Sequence, residues 1–471
     1  MAMYPGVHIF ETTKLSLASN GMSGLRPLLV GRFLNRDGSP RTLAQGVLAV
    51  DDWMSFSDAC LTSSLFIVVD ESGVPVVSEP PSEGSPPIGA ETTTETRRKT
   101  RAKKSEPQLA EMPVELTDAN INAGVFALRH YFDNGGGPCL LLSYAPEEGL
   151  QEIPPTLKEY DEISLLAVID ASSDDDININ THLDAVITNN QQAFLVTRHG
   201  DITNQTPASR INKTRTATYA PNLITGYKYS LDDSGILVQL GSDSGTSVVS
   251  LAELRTKDKA IYDVVNTALA KVTLPPGAQA PVVLSPCAAV AGAYCRTERQ
   301  IGIWKAPANV SLVGATPAEL IGESLHGELN AAGINAIIWN PKSGTSIMGA
   351  RTCEDPNKTA WRYVPVRLLF NTVERDLRAM MAPVIFEPNS LSTWQIVRSG
   401  IESYLYNLWK KGGLYGTSPS EAYVVNIGLE TMSEDDIENG ILRVRIGMAA
   451  LRSTEFIYID FTQDVYNLAS A

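Results

Sequence analysis

The chain has 471 residues, of which 43% are hydrophobic and 19% charged, a composition typical of a globular protein with more than one core. Its 53 acidic and 38 basic residues give a formal net charge of -15, which argues against general binding to nucleic acid or to an anionic membrane surface. The start, Met1–Gly6, lacks the basic and apolar regions of a signal peptide, and no run of about 18 apolar residues could span a bilayer. We therefore expect a soluble, cytosolically synthesised protein of two or three domains, without a nucleic-acid partner and without direct membrane insertion.

The cysteines and histidines form no recognisable cluster in the sequence. The five cysteines, an odd number, include no pair with C-x-x-C spacing, and each has apolar or small neighbours. We expect buried thiols in a reducing compartment, with neither a disulfide framework nor a zinc site. The scattered histidines are expected to be structural. These residues are Cys60, Cys139, Cys287, Cys295 and Cys353, and His8, His130, His182, His199 and His326.

The first folded segment is predicted to run from Arg26 to about Asp70, with a buried strand at Leu65–Val69, a continuous apolar run. From Glu71 to about Leu116 the chain becomes rich in Pro, Glu, Thr and Ser. With so few large apolar residues this stretch cannot offset its own ordering entropy, so we expect a mobile surface insertion at 71–116. It includes a basic cluster that could bind nucleic acid, although the acidic charge of the whole chain favours a solvated loop. The cluster is Arg97, Arg98, Lys99, Arg101, Lys103 and Lys104.

A strand–helix–strand pattern follows the insertion. Apolar residues from Ile121 to Phe132 recur at helical spacing, and Asn134–Pro138 (Asn-Gly-Gly-Gly-Pro) predicts the end of that helix. Apolar strands are predicted at 140–142, 165–169 and 194–196, with a helix starting near Thr181 before the last of them. Continuous apolar strands around a helix are typical of a parallel sheet, so we expect an α/β fold. Residues 205–250 give short strand-like signals that are hard to place, and 251–271 a helix.

The segment from about residue 282 carries the strongest periodicity. A first helix is predicted to have an apolar face of Val366, Leu369, Phe370, Val373, Leu377 and Met380, and a polar face of Arg367, Asn371, Glu374, Arg375 and Arg378. A second helix is predicted from Leu391 to Lys411, capped by Asn389 or Ser390 and ended by Gly412-Gly413. Its buried stripe is predicted as Trp394, Val397, Ile401, Leu405 and Leu408. Two strands of period two follow, one at 423–429 and one at 442–446.

Catalytic and ligand-binding motifs are missing from the sequence. There is no G-x-x-x-x-G-K-[ST], no G-x-S-x-G and no H-E-x-x-H. Residues 134–138 could cradle a phosphate, but no helix opens straight after them and Pro138 lacks an N–H, so a helix stop is favoured. Asp176–Asn180 resembles the start of a calcium loop, yet Thr181 and Ile187 stand where Gly and Glu are required. We expect no enzyme, catalytic residue, cofactor or metal ligand. An α/β enzyme that uses the loop at 134–138 is the alternative from another class.

Both ends of the chain carry isolated apolar strand patterns. Val7–Phe10 and Thr454–Phe461 place apolar residues where a strand would be exposed, which is an aggregation hazard. Each strand could pair within its own protomer, or it could complete a sheet in a neighbouring subunit. The pattern alone leaves both possibilities open.

A series of short segments is distinctive when taken in chain order. It opens with Tyr4–Val7 (Tyr-Pro-Gly-Val) and Tyr131–Gly136, and is densest in about the last 190 residues. The segments there are Ala289–Arg296, Gly302–Asn309, Leu329–Asn335, Gly349–Thr352, Trp361–Val364, Phe386–Asn389, Leu408–Leu414 and Glu421–Val425. In this order they resemble the contractile tail sheath proteins of phages and phage-tail-like particles. The insertion and residues 200–280 match that family poorly.

The resemblance implies a multi-domain sheath protomer. We expect 1–25 to be an N-terminal arm for strand exchange and 26–280 an outer, variable region that includes the insertion at 71–116. We expect 281–452 to be the shared C-terminal α/β domain and 453–471 a C-terminal arm for strand exchange. Ala449–Ser453 stands where many members of the family carry prolines, so the conformation of the linker before the last strand stays open.

The resemblance also implies the function and the partners. It implies a structural subunit that polymerises as stacked hexameric rings around an inner tube and contracts, without nucleotide, to drive the tube through the target cell envelope. The expected partners are further copies of the chain, the inner tail tube protein, and baseplate and tail terminator proteins. The expected location is the sheath of a virion tail or particle, assembled in the host bacterial cytoplasm. A sheath component of a type VI secretion or related contractile injection system is the alternative, although type VI sheaths are usually split over two chains.

Finally, the resemblance implies roles for particular residues. The exchanged strands would be Val7, His8, Ile9 and Phe10, and Phe456, Ile457, Tyr458, Ile459 and Phe461. The hairpin that accepts them would be Tyr423, Val425, Ile427, Leu442, Val444 and Ile446. For contact with the tube, the helix at 391–411 is the candidate, with Arg398, Lys410 and Lys411. The arginine-bearing face of 366–380 is the competitor, and plain solvation of these charges is the third possibility.

Overall fold

The structure is a computed structural model, which describes residues 24–36, 39–62, 65–69, 123–144, 149–170, 173–190, 192–204, 211–228, 236–240, 247–271, 281–355 and 357–455. Its strands are β1 Pro27–Gly31, β2 Val47–Val50, β3 Leu65–Val69, β4 Cys139–Ser143, β5 Leu165–Val168, β6 Phe194–Arg198, β7 Thr216–Ala220, β8 Leu223–Thr225, β9 Ile236–Leu240, β10 Ser247–Ser250, β11 Val283–Leu284, β12 Val310–Ser311, β13 Ala315–Pro317, β14 Ile334–Asn340, β15 Gly344–Ile347, β16 Tyr423–Ile427 and β17 Val444–Met448. Its helices are α1 Trp53–Ala59, α2 Ala123–Asp133, α3 Ile153–Thr156, α4 Ser173–Asn189, α5 Leu251–Lys257, α6 Lys259–Lys271, α7 Cys287–Gln300, α8 Glu323–Ala331, α9 Val364–Met381, α10 Leu391–Lys410, α11 Pro419–Ala422 and α12 Glu434–Glu438. The predicted insertion at 71–116 lies outside the described residues.

A mixed sheet forms the centre of the described part of the chain, with the strand order β12-β15-β14-β7-β6-β5-β1-β4-β2. The strands from β14 to β4 run parallel to one another. The outer strands β2, β15 and β12 are antiparallel to their neighbours. The predicted strand–helix–strand unit is present as β5-α4-β6, with Leu165 opposite Phe194 in a parallel pair. The predicted α/β class is confirmed.

Both faces of this sheet are covered, which explains the continuous apolar runs of its strands. In β5, Leu165 and Ala167 belong to one hydrophobic cluster, while Leu166 and Val168 belong to the other. Successive side chains of a strand point to opposite faces, so a sheet buried on both sides needs apolar residues at every position. Helices α3 and α4 pack on one face, and α2 and α7 on the other.

Helix α4 begins at Ser173, earlier than the start predicted near Thr181. Its first turns are rich in Asp and Asn, residues with low helix propensity, so the sequence pattern hides them. Acidic residues at a helix N-terminus are nevertheless stabilised by the helix dipole. The run Asp176–Asn180 that resembles a calcium loop is part of this helix.

The strand at Leu65–Val69 is confirmed, but it does not join the sheet of the segment that precedes it. This strand, β3, pairs in parallel with β9, and β10 adds to β9 in antiparallel orientation. With α5 and α6 these strands form a separate small core of Ile67, Ile236, Val238, Leu251, Leu254 and Val265. The uncertain signals at 205–250 thus belong to three different sheets, since β7 lies in the central one and β8 pairs with β11 and β13.

The central sheet crosses the segment boundary predicted near residue 281. Strand β14 pairs in parallel with β7, with Ile334 opposite Thr218. Helix α7 packs closely against α2, and a Cβ atom at Gly292 would lie 2.4 Å from the Tyr131 carbonyl oxygen. The segments before and after 281 therefore share one hydrophobic core.

Candidate assembly interface

A two-stranded hairpin, β16-β17, lies near the end of the described chain, where the period-two pattern predicts it. The strands are antiparallel, with Tyr423 opposite Met448 and Val425 opposite Ile446. The predicted acceptor residues share one apolar face of the hairpin, which packs on α10. Val425 and Ile427 are buried on this face, while Tyr423, Leu442, Val444 and Ile446 are half-buried.

The hydrogen-bond pattern of the hairpin determines which backbone groups face outward. The N–H of Ala449 donates to the Ala422 carbonyl at 2.9 Å, so these two residues form a hydrogen-bonded pair. Pairs alternate in an antiparallel ladder, and the next hydrogen-bonded pairs are therefore Val424–Gly447 and Asn426–Arg445. The residues between them direct their N–H and C=O groups away from the hairpin. In the described residues the sheet ends at these two strands.

Arg398, one of the predicted tube-contact residues, lies beside the end of β16. Its Nη2 donates to the Ile427 carbonyl at 2.8 Å and lies 3.4 Å from Glu430 Oε1. Arg398, Ile427 and Glu430 border a groove of about 530 Å³ between the N-terminal half of α10 and the end of β16. Arg398 therefore hydrogen-bonds to an outward-facing carbonyl group on the hairpin edge of its own protomer.

Helix α10 matches its predicted stripe and end. Val397, Ile401, Leu405 and Leu408 are buried and Trp394 is half-buried. The helix ends where Gly412 adopts φ 82° and Gly413 N–H donates to the Leu408 carbonyl at 3.0 Å. Lys410 and Lys411, in its last turn, are exposed.

The predicted caps of α10 act differently from expectation. Ser390 is the N-cap residue, but its side chain makes no capping hydrogen bond. The side chain of Asn389 instead accepts a hydrogen bond from the Trp394 indole N–H at 2.7 Å. This bond fixes the half-buried end of the stripe.

The predicted polar face of α9 is present, but part of it is buried. Arg367 is only 4% exposed, and Asn371 is buried as well. The guanidinium donates to Asn371 Oδ1 at 2.6 Å and to Glu374 Oε1 at 2.8 Å, and its Cζ lies 4.2 Å from the Trp361 ring centroid. Burial lowers the pKa of Arg367, while Glu374 compensates in part. These partners let Arg367 enter the core, whereas Glu374 and Arg378, further along the same face, are exposed.

The loop at 134–138 is filled by side chains of the same chain. Asn134 is fully buried, donates to the His130 carbonyl at 2.9 Å and accepts from Val313 N–H at 2.8 Å. Arg299 donates to the Gly135 carbonyl. The loop joins α2 to β4 and supports contact with α7, so it is a helix stop, as the sequence favours.

The predicted exchange strands fall largely outside the described residues. This applies to Val7–Phe10 and to Phe456–Phe461. Thr454 and Glu455, which open the second predicted strand, are described and are not in a strand of this protomer. Ala450 makes an isolated antiparallel bridge with Leu414, and residues 451–455 continue in irregular conformation.

A contact that sequence analysis missed lies at this point of the chain. Arg351 Nε and Nη2 donate to Glu455 Oε1 and Oε2, at 2.9 and 2.5 Å. The two residues are far apart in sequence, and a pattern of single residues does not indicate such a pair. The only signal was indirect, since Arg351 belongs to the Gly349–Thr352 segment that resembles sheath proteins.

Other kinds of site find no support in the described part of the chain. It contains no group of three or more His, Cys, Asp or Glu side chains placed to hold a metal ion. No disulfide joins the five cysteines, all of which are described. Among the described helices, none is both long and apolar enough to cross a bilayer.

Comparison with known proteins agrees with this hairpin-bearing architecture. Residues 357–464 match the family model of the phage tail sheath C-terminal domain. A chain from the cryo-EM structure of the anti-feeding prophage (AFP) baseplate, 6-fold symmetrised, is 28% identical, with a TM-score of 0.63 and coverage of 99% of this chain and 100% of that chain. These matches support a contractile tail sheath family for this chain.

Two contracted sheaths are similar to this chain over nearly its whole length. The AFP helical sheath in the contracted state is 27% identical, with a TM-score of 0.64 and coverage of 98% of this chain and 100% of that chain. The sheath complex of the extracellular contractile injection system PVC, also contracted, is 26% identical, with a TM-score of 0.62 and coverage of 99% of each chain. Among curated proteins, none matches significantly.

Proposed function

We propose that this sheath protein is the subunit of the contractile sheath of a phage-tail-like injection particle. The observation that carries the proposal is the end-to-end similarity to the AFP and PVC sheath chains at 26–27% identity. The subunit would polymerise as stacked hexameric rings around an inner tube. Its partners would be further copies of itself, the tube protein, and baseplate and terminator proteins, with assembly in the host bacterial cytoplasm.

Polymerisation would depend on strand exchange at the β16-β17 hairpin. The outward-facing N–H and C=O groups of Val425 on one edge and Ile446 on the other can hydrogen-bond to added strands. Val7–Phe10 of one neighbour and Phe456–Phe461 of another would supply those strands. Each added strand gains backbone hydrogen bonds and covers apolar surface, which isolated chain ends cannot do for themselves.

The work of contraction would come from repacking of a metastable extended lattice, without catalysis. The loop at 134–138, the candidate phosphate site, is occupied by Asn134 and Arg299 of its own chain. A structural role is that of the sheath proteins to which the chain is similar. Strands shared between subunits would keep the lattice connected while the rings slide.

Contact with the inner tube would involve the C-terminal end of α10. Lys410 and Lys411 are exposed there, whereas Arg398 is held beside β16 by Ile427 and Glu430. An exposed pair of lysines favours an acidic partner surface through long-range attraction. Arg398 would then support the hairpin and leave the tube contact to the lysines.

A type VI secretion sheath is a less favoured alternative. The single chain covers 99–100% of the AFP and PVC sheath chains. A sheath half from a system that divides its sheath over two chains would not be expected to cover them in this way.

Electron microscopy of the purified full-length chain tests the proposal. Hollow, helically striated cylinders are expected without added nucleotide. Deletion of residues 1–14 or 456–471 should leave a folded, soluble protein that sediments as a protomer. Normal cylinders from both truncated chains would refute strand exchange, and the absence of polymers from the full-length chain would argue against the sheath function.

A further inference from the structure

The last described residues of the chain cross a cleft beside the central sheet. Leu451–Glu455 form one side of this cleft, which measures about 640 Å³. Trp304, His326, Met348 and Gly412 are among the residues on its other sides. The exchange residues predicted from Phe456 onward would follow directly after Glu455.

The segment that crosses the cleft, Leu451–Glu455, is held at both of its ends. At the near end, Ala449 N–H donates to the Ala422 carbonyl at 2.9 Å, and the Ala449 carbonyl accepts from Tyr415 N–H at 2.8 Å. At the far end, the Glu455 carboxylate accepts two hydrogen bonds from Arg351, and the Tyr363 hydroxyl lies 3.3 Å from its Oε2. Glu455, the last described residue, is therefore fixed beside Arg351, away from the end of β17.

Arg351 is held in position for this carboxylate by groups of the folded body. Asn335, on β14, accepts from the Arg351 backbone N–H at 2.7 Å and donates to the Arg351 carbonyl at 2.8 Å. The guanidinium Nη1 donates to the Asn330 carbonyl, in the last turn of α8, at 2.8 Å. The remaining Nε and Nη2 donors form the fork that Glu455 binds.

The pair lies in a setting where an ion pair is stronger than on an open surface. The side chains of Arg351 and Glu455 are 11% and 17% exposed. A bidentate guanidinium–carboxylate pair is stronger and more directional than a single charged contact, and partial burial limits its screening by salt. Loss of either partner would leave the other charge poorly compensated in this site.

We propose that Arg351 is a positioning residue for polymerisation: by binding Glu455 it fixes the point from which the C-terminal arm leaves the protomer. This inference rests on the strand-exchange function proposed above. Without the anchor, the free tether would begin near Ala450 and gain five residues, which is up to ~17 Å of additional reach. A longer, freer tether lowers the effective concentration of the arm at its acceptor hairpin.

The first test measures the lowest protein concentration at which the full-length chain forms sedimentable polymer. Arg351→Gln and Glu455→Ala should each raise this critical concentration by about threefold to tenfold, because five additional flexible residues before the exchanged strand lower its effective concentration at the acceptor. The double variant should resemble the single ones, since both remove the same contact. The matched control is Glu374→Ala, which also deprives a buried arginine, Arg367, of its carboxylate but lies away from the arm. It should leave the critical concentration unchanged.

The second test reports on the anchor in the protomer itself. Arg452 is exposed, but it lies between the two fixed ends of this segment. Trypsin needs a locally opened backbone, so it can cleave after Arg452 only when the segment detaches. Below the critical concentration, Glu455→Ala should accelerate this cleavage by about tenfold or more, as expected for loss of a charged hydrogen-bonded pair. Mass spectrometry of the released C-terminal peptide measures the rate, and Glu374→Ala should not change it.

The outcomes separate the anchor from the function on which it rests. Faster cleavage together with a raised critical concentration in the anchor variants, and not in the control, supports the inference. An unchanged critical concentration in both anchor variants overturns it and leaves the sheath function intact. A wild-type chain that never polymerises overturns both the inference and the proposed function.

Discussion

The central sheet and the C-terminal hairpin differ in how many unpaired backbone groups their edge strands expose to other chains. The central sheet is buried on both faces and ends in short antiparallel strands, β12 with only Val310–Ser311 at one edge and β2 with Val47–Val50 at the other. Short edge strands offer few backbone groups to another chain. The hairpin is apolar on one face and presents two five-residue strands.

If the hairpin accepts strands as proposed, this difference separates the source of stability from the source of assembly. Strand residues such as Leu166 and Val196 gain their burial within the protomer, whatever the state of assembly. The hairpin residues Val444 and Ile446 remain half-buried in the isolated chain. Under the proposed strand exchange, the body would move as a unit, while the hairpin would give neighbouring units a place to connect. The predictions below test this division, in order of decreasing effect on the stability of the protomer.

A cavity in the central sheet should have the largest effect. Leu166, in β5, is fully buried between the sheet and its helical cover. Leu166→Ala should lower the free energy of unfolding by about 2–5 kcal/mol because it removes buried methyl groups and leaves a cavity. Urea unfolding of the protomer measures the change. A loss below about 1 kcal/mol would contradict the assignment of this sheet as the source of stability.

The buried tyrosine pair across the sheet and α7 should have the next largest effect. The hydroxyls of Tyr219 and Tyr294 lie 2.5 Å apart, and burial raises the pKa of both groups. Tyr294→Phe should cost about 1–3 kcal/mol, because the Tyr219 hydroxyl then stays buried without its partner. The variant Tyr219→Phe/Tyr294→Phe should recover part of that loss. Additive losses in the double variant would show that the two hydroxyls do not act as a pair.

A proline on the hairpin edge should affect assembly far more than stability. Ile446→Pro and Ile446→Ala both shorten a half-buried side chain, but only proline removes an outward-facing N–H and prevents ladder formation. We expect both to destabilise the protomer by about 1–2 kcal/mol. Only the proline variant should raise the critical concentration for polymerisation, by about tenfold or more. If the two variants have the same critical concentration, the added strand does not pair with the hairpin edge at Ile446.

Charge reversal at the end of α10 should change stability least. Lys410→Glu/Lys411→Glu alters two exposed residues and should shift the free energy of unfolding by no more than about 0.5 kcal/mol. It should weaken co-sedimentation with the cognate tube protein, most strongly at low salt, where charge attraction is least screened. The control is charge reversal of Lys257 and Lys259, two exposed lysines on α5 and α6. Equal effects of the two reversals on tube binding would exclude α10 as the specific contact.

The elements that could be predicted from the sequence are those whose pattern depends on burial alone. Strands β4, β5 and β6 show continuous apolar runs because both of their faces are covered, and α10 shows its stripe and its glycine stop. The hairpin follows from period two. In each case a local pattern reports directly on the environment of the element.

The features that could not be predicted depend on which distant residues meet. Strand β3 is a clear strand, but nothing in its five residues indicates that it pairs with β9. The position of Arg367 on a polar helix face does not indicate that it is buried, because its burial depends on contacts with Trp361, Asn371 and Glu374. The Arg351–Glu455 anchor joins residues that no periodicity connects. Pairing of this kind is a property of the tertiary structure.

The most direct test of the account is the number of strands in the hairpin sheet within an assembled sheath. Cryo-electron microscopy of polymers of the full-length chain would show this at side-chain resolution. The account predicts that β16 and β17 are flanked by two added strands, Val7–Phe10 from one neighbouring subunit and Phe456–Phe461 from another. A hairpin that remains two-stranded in the lattice, with both chain ends paired inside their own protomer, would contradict it.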